Sequence, residues 1–179
     1  MNKQYSGNNT DFYVASTVVA DTVNLAIQLN RPLLVEGEPG SGKTMLAYSI
    51  ASELELDEPV KIMVKSTSRA QDLLYRVNTL RRLQDAQNPH ANQAQYIYPY
   101  LSLGPLGQAI HQNKNCVILI DEIDKADIDF PNDLLGVLDT FRFQIDELPE
   151  EEEKLCLEEK GFGRVIYSER SNQHFREHS

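Results

Sequence analysis

No hydrophobic stretch in this chain approaches the ~20 residues that a membrane-spanning helix needs. The longest apolar run is five residues, Cys116 to Ile120. The opening Met-Asn-Lys-Gln-Tyr-Ser is polar and has no apolar signal region. Cysteine is scarce: Cys116 and Cys156 alone make no disulfide framework. Cys116 reads as a small buried strand residue rather than a redox thiol. Basic charge is also in deficit. Seventeen Lys and Arg stand against 27 Asp and Glu, a net charge of −10. Such a chain is a poor non-specific binder of nucleic acid or of anionic lipid. His90, His111, His174 and His178 are scattered and show no paired metal-ligand spacing. Asp124, Asp127 and Asp129 lack the glycine and spaced carboxylates of a calcium loop, so they read as a solvated turn or a partner surface. No internal repeat is visible. What remains is a chain of 179 residues, about one domain's worth, with 41% hydrophobic residues for a core. The expected compartment is a reducing cytoplasm.

What the chain does have begins at residue 37. Residues 37–44 read Gly-Glu-Pro-Gly-Ser-Gly-Lys-Thr, the G-x-x-x-x-G-K-[ST] pattern of a phosphate-binding loop. The apolar run Leu33-Leu34-Val35 precedes it as an expected strand, and Met45 to Leu54 follows as an expected helix. A strand feeding a glycine loop that opens a helix is the context the motif requires. Gly37, Gly40 and Gly42 permit positive φ and close backbone approach. The exposed N–H groups of the loop, which also holds Glu38, Pro39 and Ser41, then cradle phosphate oxygens at a helix N-terminus. Lys43 is placed to reach the β/γ-phosphates, and the Thr44 hydroxyl to ligate Mg²⁺.

Residues 116–122 read Cys-Val-Ile-Leu-Ile-Asp-Glu. The aliphatic run suits a strand buried on both faces. Two carboxylates at the end of such a strand are costly unless they have a task. Beside a phosphate loop, Asp121 is expected to hold Mg²⁺, through water, next to Thr44. Glu122 is expected to polarise the attacking water as general base.

Along the rest of the chain, residues 1–15 are polar and expected to be flexible. Ser16 to Leu29 has helical periodicity, with Ser16 or Thr17 as cap and a break at Asn30-Arg31-Pro32. Pro59 is expected in a turn, with a strand over Val60 to Val64. Ser68 to Ala86 reads as one helix with the stripe Leu73, Leu74, Val77, Leu80 and Leu83. Residues 87–95 are a polar linker, and Tyr96 to Leu101 is extended around Pro99. A short helix starts at Gly104-Pro105, another spans about Pro131 to Thr140, and Phe141 to Ile145 alternates like a strand or hairpin arm. Strands alternating with helices imply a parallel sheet covered on both faces, with both motifs at its carboxyl edge.

The string Arg31-Pro-Leu-Leu-Val-Glu-Gly-Glu-Pro-Gly-Ser-Gly-Lys-Thr44 resembles the MoxR family of AAA+ ATPases. So do Lys65-Ser-Thr-Ser-Arg-Ala-Gln-Asp-Leu-Leu-Tyr75, Leu103-Gly-Pro-Leu-Gly107 and the segment from Val117 to Leu135. The similarity covers roughly residues 12–147. It implies an α/β fold, a three-layer parallel-sheet P-loop NTPase core of AAA+ type. It implies ATP and Mg²⁺ as cofactors, Lys43 and Glu122 as catalytic groups, and Gly37 to Thr44 as the nucleotide-binding loop. It also implies a homo-oligomeric ring and chaperone-like maturation of partner proteins, often beside von Willebrand factor A-type partners. After about Glu147 the chain departs from the family pattern. The sensor strand, arginine finger and C-terminal helical lid are not legible there. Val165-Ile166-Tyr167 with Ser171-Asn172 is a faint echo of the sensor strand, broken by the polar residues 168–171, and Arg170 and Arg176 read as solvated.

The expected organisation is therefore a flexible 1–15, a partial AAA+ nucleotide-binding domain over 16–147, and an acidic mobile tail over 148–179. Residues 147–179 carry nine acids against five bases. The leading reading is ATP binding and hydrolysis. The alternative is a nucleotide-binding remnant without turnover, acting as an interaction module. A small-molecule kinase shares the loop, but no basic lid or acceptor site is legible, and acidity disfavours a nucleic-acid motor.

Overall fold

Ser16 sets the start of the first helix. The computed structural model describes residues 3–8, 13–88 and 93–168. In it α1 runs Thr17–Gln28, and the Ser16 hydroxyl accepts the Val19 N–H at 3.3 Å. The helix ends as the sequence requires. Asn30 takes a left-handed φ of 50°. The N–H of Arg31 then reaches the Ala26 carbonyl at 3.0 Å, and that of Asn30 the Ile27 carbonyl at 3.2 Å. This paired closure satisfies carbonyls that a helix end would leave open, and Pro32 forbids continuation.

The chain divides into two compact units, residues 1–68 with 114–139 and residues 69–113 with 140–179. The first holds α1, α2 (Lys43–Glu53), β1 (Asp57–Met63), β4 (Cys116–Asp121) and α6 (Phe130–Thr140, all but its last residue). Strands β1 and β4 pair in parallel, with Val60 opposite Ile118 and Met63 opposite Asp121. Pro59 lies inside β1, not in a turn. The register slips between Asp57 and Val60, where a residue without an N–H cannot feed a ladder. Helix α2 packs on both strands.

Three further expectations for this unit fail. Residues 33–35 form no strand. Among the described residues nothing pairs with them, and Leu34 is 68% exposed. Strand β4 is half-buried along its whole length rather than covered on both faces, Cys116 included. The N-terminal residues 3–8 are not loose. Tyr5 is buried in a cluster with Ala20, Val23 and Leu46. Its hydroxyl shares a hydrogen bond with Ser49 at 3.0 Å, and its backbone exchanges two with the Asn24 side chain, at 2.8 and 2.9 Å. An aromatic ring with satisfied polar ends outweighs the polar composition around it.

The second unit holds α3 (Ala70–Leu74), β2 (Tyr75–Val77), α4 (Thr79–Ala86), β3 (Leu101–Leu103), α5 (Pro105–His111), β5 (Arg142–Gln144), α7 (Glu150–Lys160) and β6 (Val165–Tyr167). The single helix expected over 68–86 is broken. Tyr75–Val77 pairs antiparallel with Leu101–Leu103 instead, and Leu80 and Leu83 stay exposed. A ladder with a distant partner overrides the helical period. Pro99 sits in a short 3-10 turn, Tyr98–Tyr100, ahead of β3. Gly104 and Gly107 let α5 lie against α3. A Cβ on Gly107 would stand 2.0 Å from the Leu74 carbonyl.

The acidic tail is a correction too. Residues 150–160 are helical, and β6 pairs antiparallel with β5. Leu148 and Cys156 are fully buried, and burial pushes the Cys156 thiol up to about 11. The glutamates are used as acceptors. Glu152 takes the N–H groups of Ile97 and Tyr98, at 2.7 and 3.0 Å. Glu153 takes that of Arg164 at 2.8 Å, and Glu150 pairs with the Arg164 guanidinium at 2.8 Å. Four acids in the first turn of α7 also suit its N-terminal dipole. The echo of a sensor strand is thus an antiparallel arm. Asn172, Arg170 and Arg176 lie outside the described residues. No described helix is long and apolar enough to cross a membrane.

Candidate functional site

The loop before α2 turns through two left-handed glycines, Gly40 at φ 83° and Gly42 at φ 85°. A side chain at either position would strain the backbone. The Ser41 N–H closes a turn on the Glu38 carbonyl at 3.2 Å. Residues 37–41 are exposed, while Lys43 and Thr44 are half-buried at the first turn of α2. The helix has no side-chain cap, because Gly42 occupies the cap position. Its first N–H groups therefore lack an internal partner from that side chain. Tyr13 closes one side of the loop. Its ring lies so near Gly42 that an added Cβ would sit 2.7 Å from Cε2.

Lys43 bends back into the loop. Its ammonium donates to the Gly37 and Glu38 carbonyls, both at 2.8 Å, and reaches the Ser41 hydroxyl at 3.5 Å. The cation is thus held against its own loop by the Gly37 and Glu38 carbonyls, partners that an anion would replace. Left-handed glycines, uncapped helix N–H groups and a lysine so placed form a cradle that fits a phosphate chain.

Asp121 and Glu122 stand at the carboxyl end of β4, in the same unit as the loop. Asp121 Oδ2 pairs with Lys61 of β1 at 3.0 Å, and Oδ1 accepts the Glu122 N–H at 3.1 Å. Glu122 has a left-handed φ of 61°. A non-glycine residue there costs about 1–2 kcal/mol and marks a site where the surroundings impose the turn. Its carboxylate pairs with Lys125 at 2.7 Å, and this hydrogen bond raises the lysine pKa. The structure therefore brings Asp121 and Glu122 together and places Lys43 and Thr44 on the helix that packs against β4. The ion pairs and hydrogen bonds of the two acids run to Lys61, Lys125 and their own backbone, not to the loop.

Three residues at the site escape a reading of the sequence. Lys61 needs the β1–β4 register, and Tyr13 needs the fold of the N-terminal segment. Lys125 has a signal, three residues beyond Glu122, which is a reachable spacing in a helical turn.

Comparisons with known proteins bear on the family of this chain. The chaperone protein ClpB of Prochlorococcus marinus is 32% identical over 116 residues, covering 63% of this chain and 12% of the relative. The chaperone protein ClpB of Mycoplasma pneumoniae is 33% identical over 129 residues, covering 70% of this chain and 16% of the relative. The chain thus spans well under a fifth of the length of either. No solved structure matches it. A family model described as AAA domain (dynein-related subfamily) matches residues 32–173. That match takes in the phosphate loop, the Asp121–Glu122 strand end and the α7–β6 segment alike, and by it the chain belongs to the AAA domain family, with the α/β P-loop NTPase core of that class.

Proposed function

We propose that this chain binds ATP with Mg²⁺ on residues 37–44 and hydrolyses it, as a MoxR-like module that drives changes in partner proteins. The observation that carries the reading is the loop itself, with two left-handed glycines and the Lys43 ammonium turned back onto the Gly37 and Glu38 carbonyls. Backbone N–H groups of Gly40, Gly42, Lys43 and Thr44 hold the phosphate chain, and Lys43 neutralises its β/γ end. The Thr44 hydroxyl and Asp121 hold the metal, Asp121 through water. Magnesium supplies charge neutralisation on the phosphates when bound. Glu122 accepts a proton from the attacking water at its carboxylate. A homo-oligomeric ring and a client beside a von Willebrand factor A-type partner are the assemblies that the MoxR resemblance carries.

Calorimetry on wild type and Lys43→Ala tests the binding step. The expected loss in ATP affinity is at least about tenfold, or roughly 1.4 kcal/mol. Equal affinities would refute the loop assignment. A second reading, a module that binds nucleotide without turnover, is favoured by one observation. Both acids are already engaged by lysines, at 3.0 and 2.7 Å. Steady-state phosphate release separates the two readings.

A further inference from the structure

Lys61 belongs to no nucleotide-binding motif, yet it sits on the carboxylate expected to serve the metal. In the parallel register Lys61 lies opposite Leu119 and Met63 opposite Asp121. Side chains alternate along a strand, so these four share one face of the sheet, and Ile62 and Ile120 the other. From its own strand the Lys61 ammonium reaches Asp121 Oδ2 at 3.0 Å. The remaining oxygen, Oδ1, already accepts the Glu122 N–H. Oδ2 is therefore the oxygen whose partner is a side chain able to leave. The way out is open, since the Lys61 side chain is 36% exposed and that of Asp121 29%.

We infer that Lys61 is a resident countercharge for Asp121, which a divalent cation arriving with nucleotide must displace. The inference rests on the reading of Asp121 as a metal-holding group. A half-buried carboxylate without a partner is costly, and Lys61 meets that cost while no metal is near. An ammonium on Asp121 Oδ2 and a dication held by the same carboxylate through water repel each other across a few ångströms. The Lys61–Asp121 pair and metal occupancy are therefore antagonistic. The pair lowers the apparent affinity for the cation, so that Mg²⁺ alone is held poorly and nucleotide is needed to bring it in. Lys125 has no such role, because the carboxylate it holds belongs to Glu122.

The test is a Mg²⁺ titration of the binding of a fluorescent ATP analogue to the full chain. Lys61→Met keeps the apolar stem and removes the charge. Its Mg²⁺ midpoint is expected to fall about three- to fivefold, the scale of a partly exposed ion pair. Lys61→Gln should give the same shift, so a folding defect in one variant does not decide the matter. Lys61→Arg should stay near wild type, and Lys125→Met should move the midpoint less than about twofold. A midpoint unchanged or raised in both charge-removing variants, with binding still dependent on Lys43, overturns the inference and leaves the phosphate-loop reading standing. Binding indifferent to Lys43→Ala overturns both.

Discussion

The unit that carries the candidate chemistry is the less covered of the two. In the first unit Leu33, Leu34, Val35, Met63 and Ile128 are exposed and β4 is half-buried throughout. In the second, Leu106, Ile145, Leu148 and Cys156 are fully buried, and Tyr75 stacks on Phe143 with ring centroids 6.2 Å apart. Among the described residues, the first unit has one parallel pair of strands and the second two antiparallel pairs. Antiparallel arms can close within a short stretch of chain, whereas a parallel strand needs a crossover and neighbours on both sides. A site at the end of a parallel strand thus depends on what covers that strand on both sides.

Substitutions in the two units should therefore separate rate from stability. The largest effect is expected at Glu122. Glu122→Gln keeps the shape and removes the proton acceptor, so turnover should fall about 10²-fold or more while ATP affinity holds. Phosphate release and calorimetry read the two quantities. Joint loss of both would show that Glu122 supports the turn at φ 61° rather than the reaction.

Next comes Leu148. Leu148→Ala should cost about 2–5 kcal/mol in urea unfolding followed by circular dichroism, because it empties a fully buried position. Leu34→Ala, at 68% exposure, should change stability by less than about 0.5 kcal/mol. Equal costs would break the contrast between the units. The Leu148 result also bears on the expectation of a mobile tail. A cut near that residue would remove α7 and β6 and leave β5 without its partner.

The smallest effect is a pH dependence within the second unit. Tyr75 donates to Glu147 Oε2 at 2.6 Å and Gln71 donates to Oε1 at 2.7 Å. Burial alone would raise the Glu147 pKa, but these hydrogen bonds and its own backbone N–H outweigh it and hold the carboxyl below its ordinary 4.5. The same pair, with burial as the larger cause, pushes the Tyr75 phenol up to about 12. A depressed folded pKa gives stability that is present above the unfolded value and lost as pH falls through the folded one. Wild type should exceed Glu147→Gln by at most about 0.5 kcal/mol at pH 7, after discounting for solvent screening. The gap should close as pH drops below 4.5. A gap that persists at about pH 3, below the usual carboxylate range, would mean that Glu147 acts through shape alone.

How much is legible in the sequence follows from the range of each interaction. The glycine turn that opens α2, the cap at Ser16, the break at Asn30-Arg31-Pro32 and the helix opening at Gly104-Pro105 are set by residues within one turn of each other, and they stand where the sequence places them. The pairing of Asp121 with Glu122 is likewise a matter of adjacency. Residues 33–35 mislead because apolar character makes a strand only when another strand lies alongside. The periodicity over 68–86 misleads because Tyr75–Val77 finds its partner at Leu101–Leu103. The tail misleads because charge counts do not reveal acceptors, and its glutamates meet backbone N–H groups far off in the chain.

By itself, then, the sequence determined the segments proposed to carry the chemistry, the loop 37–44 and the strand end at Asp121 and Glu122, and the membership of the AAA domain family at large. Only the tertiary structure decided which cation faces Asp121. Lys61 comes to Asp121 through the register of two strands more than fifty residues apart in sequence, and Tyr13 comes to Gly42 through the burial of Tyr5 in the core beside it. Local backbone preferences act between neighbours and can be read in order. Ion pairs and ring contacts across a sheet or a core depend on how distant segments meet, and that is settled by the burial of the whole unit.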